Sequence, residues 1–185
     1  MKNENTNQMN LGSLISELEL KDSKYKKVMR RFQIMFFIFI FFYAGFFLFN
    51  PHPEITILDR IAGACYVVAF SLFTLQFRKF YKTYKAVNYA DPVKKVLEGA
   101  EKRYRLWQKK TLITLVSILL IDAATILVLY DRFIDRWTFW QFFSIIQLAY
   151  IIIMGIGFTF GYLRWRKESR PIWFSARNLL KELEE

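Results

Sequence analysis

The chain has 185 residues, 54% of them hydrophobic and 20 of them Phe, and a formal net charge of +11. That apolar share exceeds the roughly 45–50% of ordinary globular domains. A basic excess of this size coexists with it only if the two are segregated, apolar side chains in lipid and basic ones at the headgroups. One cysteine (Cys65) and one histidine (His52) exclude an intramolecular disulfide, a Cys-based zinc site and most His-dependent chemistry.

Residues 1–10 are polar and Asn-rich, the composition of a disordered N-terminus. Residues 11–31 read as an amphipathic helix. Leu11, Leu14, Ile15, Leu18, Tyr25 and Met29 recur at helical spacing, and Asn10 is a candidate N-cap. The uncharged run at 32–49 is too long and too bulky for the core of a secretory leader and is read as a retained first span. Pro51 and Pro53 stop it. Further spans are expected at 58–77, 111–130 and 140–162, each near the roughly 20 residues that cross a bilayer core. Backbone hydrogen bonds in lipid must close within a segment, so these runs predict helices. The fold class is all-α: a polytopic membrane protein with four transmembrane helices arranged as a four-helix bundle.

Orientation follows from base. Lys21, Lys24, Lys26, Lys27, Arg30 and Arg31 precede span one; Arg78 through Lys110 join spans two and three; Arg164 through Arg170 follow span four. The other two loops carry only Arg60, Arg132 and Arg136. With four spans the three basic segments share one side, which the positive-inside rule makes cytoplasmic, both termini included. The Phe, Ile and Lys richness suits a bacterial inner membrane.

The cytoplasmic segments look structured. Phe80, Tyr81, Tyr84 and Val87 prolong an apolar stripe beyond span two. Asp91 is a candidate N-cap with Pro92 at the first helical position, and Val93, Val96, Leu97, Ala100, Tyr104 and Trp107 form a second stripe. No breaker follows before span three, so residues 78–110 predict an antiparallel hairpin whose two stripes pack together. The C-terminal segment 171–185 is amphipathic through Ile172, Trp173, Ala176, Leu179, Leu180 and Leu183, and its end is acidic. At least one of the two terminal helices is expected to dock on the hairpin.

Asp122 is the sharpest chemical feature. It lies near the middle of span three, where a charge costs about 2.5–3.5 kcal/mol on insertion scales. Thr111, Thr114 and Thr125 fall on its face, and Gln147 of span four is the natural hydrogen-bond partner. The set Asp122, Thr114, Thr125 and Gln147 is therefore either a proton or cation site or a structural tie between spans. Gln147, Tyr150, Met154, Gly157 and Gly161 in span four, and Ala62, Cys65, Ala69, Leu72 and Gln76 in span two, recur at the spacing of packing seams. The GxxxG at Gly157 and Gly161 suits packing within the bundle, with a homodimer face as the other reading. Asp59 and Arg60, and Asp131, Arg132, Asp135 and Arg136, mark the outer boundary and could pair across loops.

The chain contains no P-loop, dinucleotide glycine pattern, HExxH or GxSxG, no carboxylate cluster with metal-ligand spacing, and no helix-turn-helix or zinc-finger pattern. No catalytic residue, cofactor or metal is expected, nor nucleic-acid binding. The expected partners are the bilayer with its anionic headgroups, a cytoplasmic protein, and a second copy of the chain. The function that follows is protein–protein contact through the cytoplasmic helices, as a non-enzymatic regulatory, anchoring or assembly subunit. The alternative is an oligomeric small transporter or channel using Asp122.

Overall fold

The computed structural model describes residues 11–106, 111–133 and 137–183, without the side chains of Thr111 and Asp131. The expectations for residues 1–10, Trp107 to Lys110, Asp135, Arg136, Glu184 and Glu185 lie outside the described residues. Every regular element among those described is helical: α1 (Leu11–Tyr43), α2 (Ile57–Lys85), α3 (Val93–Tyr104), α4 (Thr111–Phe133), α5 (Phe139–Arg164) and α6 (Arg170–Glu182). Four stretches, Leu11–Leu48, Ile57–Lys85, Leu112–Tyr130 and Phe139–Glu182, are helical, long and apolar enough to cross a membrane.

Two of these stretches join what the sequence divides. The N-terminal amphipathic segment and the first span are one rod, α1, which ends in a π-helical turn at Ala44–Leu48. The fourth span runs through a second π turn, Trp165–Ser169, into α6. A π turn adds a residue and so rotates the face that follows it. In the first, Phe47 is turned inward and is 7% exposed, whereas Phe46 is 46% exposed. The loop beyond is fixed by side chains. Thr56 and Asp59 form a reciprocal capping box at the start of α2. Arg60 donates to the carbonyls of Leu48 (2.9 Å) and Asn50 (3.4 Å), satisfying the end of the first span. Asp59 and Arg60 thus serve helix ends close by rather than a distant loop.

The α1–α2 contact is an aromatic seam. Tyr25 meets Tyr84 (ring centroids 5.7 Å), Phe32 meets Phe77 (5.3 Å), Phe36 meets Phe73 (4.8 Å), Phe39 meets Phe70 (5.4 Å) and Tyr43 meets Tyr66 (4.7 Å). The two helices run in counter-step, so each move along α1 is matched by an equal move back along α2. The α1 positions are separated by seven, four, three and four residues, the repeat of left-handed antiparallel packing. Beyond Tyr43, Gly63 permits the close approach of Phe47: a Cβ at residue 63 would overlap the Cβ of Phe47.

On its other flank α2 meets α4, with Ala62, Ala69 and Gln76 buried. α5 leans chiefly on α4, and only lightly. The helices therefore stand in an open row, α1–α2–α4–α5, rather than the closed bundle expected. Apolar faces in lipid gain little by meeting one another, so closure is not driven as it would be in water. A Cβ added at Gly157 or Gly161 would meet nothing within 4 Å among the described residues, so no close helix approach is seen at the GxxxG there.

A second core forms at the basic end. Leu14 and Leu18 of α1, Leu97, Ala100 and Tyr104 of α3, and Ile172, Ala176 and Leu180 of α6 are buried together. Both terminal segments thus pack on α3. The hairpin itself differs from the sequence expectation. The α2 stripe is taken by α1, as in the Tyr25–Tyr84 stack, and α3 turns its own stripe to α6 and to the start of α1. A cleft of about 290 Å³ separates Thr83, Ala86 and Val87 from Val96, Gly99 and Arg103. α3 begins at Val93 with Pro92 as its cap residue, while Asp91 pairs with Lys95 at 2.9 Å. It ends at Tyr104, because Arg105 has extended backbone (ψ 135°). α3 and α4 are separate helices rather than one continuous element.

Candidate functional site

Two buried carboxylates stand out, one among the spans and one at the basic end. The first is Asp122, on the α4 face turned toward α5 and 9% exposed. Gln147 Nε2 of α5 donates to its Oδ2 at 2.8 Å. One turn away, the Tyr150 hydroxyl donates to the Ile118 carbonyl at 2.7 Å. The Asp122 Oδ1 is buried and has no hydrogen-bond partner among the described residues.

The threonines of the predicted set belong to a different contact. Gln76 Nε2 of α2 donates to Thr114 Oγ1 at 2.7 Å. The Tyr66 and Thr125 hydroxyls are 2.9 Å apart, and Thr125 also donates to the Ile121 carbonyl. The structure therefore brings Asp122 and Gln147 together and directs Thr114 and Thr125 to α2. α4 ties its two neighbours through separate polar pairs rather than one continuous polar stripe. Such pairs position helices where hydrophobic burial does not; each contributes on the order of 0.6 kcal/mol in membrane proteins.

The second carboxylate, Asp22, is 3% exposed. Its Oδ2 accepts from the Tyr89 hydroxyl and its Oδ1 from the Tyr104 hydroxyl, each at 2.7 Å. Arg103, 9% exposed along its side chain, stands 2.9 Å from Oδ2. The network joins α1, the α2–α3 turn and α3. Burial, and then the Asp22 carboxylate beside them, push both phenols well above the ordinary tyrosine range. A charge buried in this way persists only when paired and hydrogen-bonded on several sides. Around it, Lys21 donates to the Glu168 carbonyl in the second π turn (2.8 Å), and the Trp165 indole donates to the Tyr104 carbonyl (2.9 Å). The second π turn is thereby locked to α1 and α3.

Asp22 was not legible as a site residue. Its signal is present, though: it falls four residues after Leu18 and three before Tyr25, so it interrupts the apolar face of α1 with a charge. Arg103, which lies off the apolar stripe of α3, carries no comparable mark. Among the described residues, no group of three or more His, Cys, Asp or Glu is arranged to hold a metal ion. No family model, curated protein or solved structure matches the chain.

Proposed function

We propose that the chain is a small, non-enzymatic integral membrane protein that works by protein–protein contact, as a regulatory, anchoring or assembly subunit. Its basic end and both termini lie in the cytoplasm, and the positive-inside asymmetry favours a bacterial inner membrane. The observation that carries the reading is the second core. A chain whose work is confined to the bilayer has no need of a separate packed bundle built from α1, α3 and α6 and fastened by a buried ionic network. The apolar stripes of these helices are spent on one another, so a partner meets the outer surface of the bundle. Leu20, Phe174 and Leu183 are large apolar side chains exposed there.

The test is site-specific photo-cross-linking in cells, with the probe at residue 20 or 174, compared with residues 151 and 158 on the open face of α5. A discrete protein adduct from the bundle positions is the expected result. Adducts from α5 alone, or none from either set, would abandon the reading. A reporter fused after Glu185 checks the orientation and should behave as cytoplasmic.

A second reading, an oligomeric transporter or channel, is favoured by one observation, the buried Asp122 Oδ1 without a partner among the described residues. Asp122→Asn keeps the shape and removes the charge. Loss of ion-coupled flux in reconstituted vesicles supports transport, and unchanged behaviour leaves Asp122 as a tie between α4 and α5.

A further inference from the structure

The seam that fixes α1 against α2 also fixes where their charges stand. Residue 25 faces 84, 32 faces 77 and 36 faces 73. The same counter-step sets Arg31 level with Arg78, Arg30 with Lys79, Lys27 with Lys82 and Lys24 with Lys85. All eight are exposed, and none of the eight is in an ion pair among the described residues. Neither 23–31 nor 78–90 contains an acidic residue. Cation therefore stands level with cation at four successive steps. The collar begins one residue beyond the Phe32–Phe77 pair and covers about 10 Å of helix rise. That is on the order of the thickness of a headgroup layer.

Basic loops alone satisfy the positive-inside rule. Eight like charges gathered at one level around a packed helix pair are a different matter, because their mutual repulsion adds up and raises the energy of the folded pair. Four cations elsewhere at the basic end, Lys21, Lys95, Arg103 and Arg164, each have a carboxylate within the chain. Among the described residues no carboxylate pairs with the collar, which leaves its charge to an anion from outside. Arg and Lys held close together are suited to phosphate, Arg by a forked donor set and Lys as a point charge.

We propose that the α1–α2 collar of Lys24, Lys27, Arg30, Arg31, Arg78, Lys79, Lys82 and Lys85 is a binding site for the phosphodiester headgroups of anionic phospholipids. The lipid acts as a counter-ion that the α1–α2 pair requires. The site rests on the membrane placement of the four helices and not on the partner-contact reading. The test contains no protein partner, so its failure leaves that reading where it stood.

The full chain is purified in a neutral detergent and supplied with phosphatidylglycerol, with phosphatidylcholine of the same acyl chains, or with inorganic pyrophosphate. Native mass spectrometry should find phosphatidylglycerol retained at least fivefold over phosphatidylcholine, and only phosphatidylglycerol should raise the melting temperature. The variant K27Q/R31Q/R78Q/K82Q should lose the preference. The variant K102Q/R105Q/R166Q/K167Q removes the same charge elsewhere at the basic end and should keep it. Equal loss in both variants means general charge attraction and overturns the site. Protection by pyrophosphate equal to that by phosphatidylglycerol means a free-phosphate site and overturns the lipid. If the collar variant fails to fold, the wild type still decides: a melting temperature indifferent to phosphatidylglycerol would falsify the proposal. Where it does fold, it should melt higher than the wild type in phosphatidylcholine, since neutralisation relieves the repulsion.

Discussion

The α1–α2 and α4–α5 contacts are both made by adjacent antiparallel helices, yet rings line the first along its whole length and the second only at its loop end. α1 and α2 interlock through five aromatic pairs and a glycine that lets Phe47 come close. α4 and α5 touch sparsely: rings meet only at the loop end, Tyr130 with Phe139 and Phe142 and Phe133 with Phe142, and deeper in the pair the ties among the described residues are Gln147 to Asp122 and Tyr150 to Ile118. Ile151, Ile152, Ile153, Ile156, Phe158 and Phe160 of α5 face outward. The difference shows how a helix pair is held when the surroundings are themselves apolar. Shape-matched rings gain dispersion contacts that lipid chains do not reproduce, whereas aliphatic residues are as well served by lipid. The first pair is a rigid element that carries the span into the second core. The second pair is held at a few points.

The comparison can be broken where α1 is anchored. Asp22→Ala removes the acceptor of two phenols and the partner of a buried guanidinium. A loss of about 3–5 kcal/mol is expected, since breaking a buried ion pair strands the remaining charge. Thermal unfolding and limited proteolysis at the basic end would measure it. A loss below about 1 kcal/mol would mean that apolar packing alone holds the bundle.

Within the spans, Asp122→Lys should cost about 2.5–3.5 kcal/mol, because lysine keeps a charge in the hydrocarbon without a partner. Asp122→Leu should cost far less, and unfolding in mixed detergent micelles compares the two. Gly63→Ala comes next. The added methyl must push Phe47 away from α2, and overpacking of this kind costs about 1–3 kcal/mol. Gln147→Leu should cost only about 0.6 kcal/mol by the same measurement. If Gln147→Leu proved as costly as Gly63→Ala, the contrast between the two helix pairs would be lost.

The smallest effect concerns alkali. Tyr89 and Tyr104 have raised pKa values in the folded chain, so the unfolded chain releases those protons first as pH rises. Their contribution is complete below the ordinary tyrosine value of about 10 and declines above it. Melting temperatures between pH 9 and pH 11 should fall more steeply for the wild type than for Tyr104→Phe.

Much of this fold is determined by sequence alone, because it depends on local pattern. The four apolar runs are long enough to cross a bilayer, and a helix closes its backbone hydrogen bonds within each run. The apolar faces of the terminal helices and of α3 follow from spacing, and so does the pairing of Asp122 with the only Gln of the fourth span that lies near its depth. What tertiary structure decided is which surface each stripe meets. The α2 stripe beyond the membrane had two suitors, α3 next in sequence and α1 in register. α1 took it, because its aromatic repeat continues unbroken from the span. α3 was left to α6 and the start of α1, and Asp22 met Tyr89, Arg103 and Tyr104 only through that choice. Spacing along one helix fixes which residues share a face; it carries no information about which of several apolar faces will cover it, because hydrophobic burial is not directional.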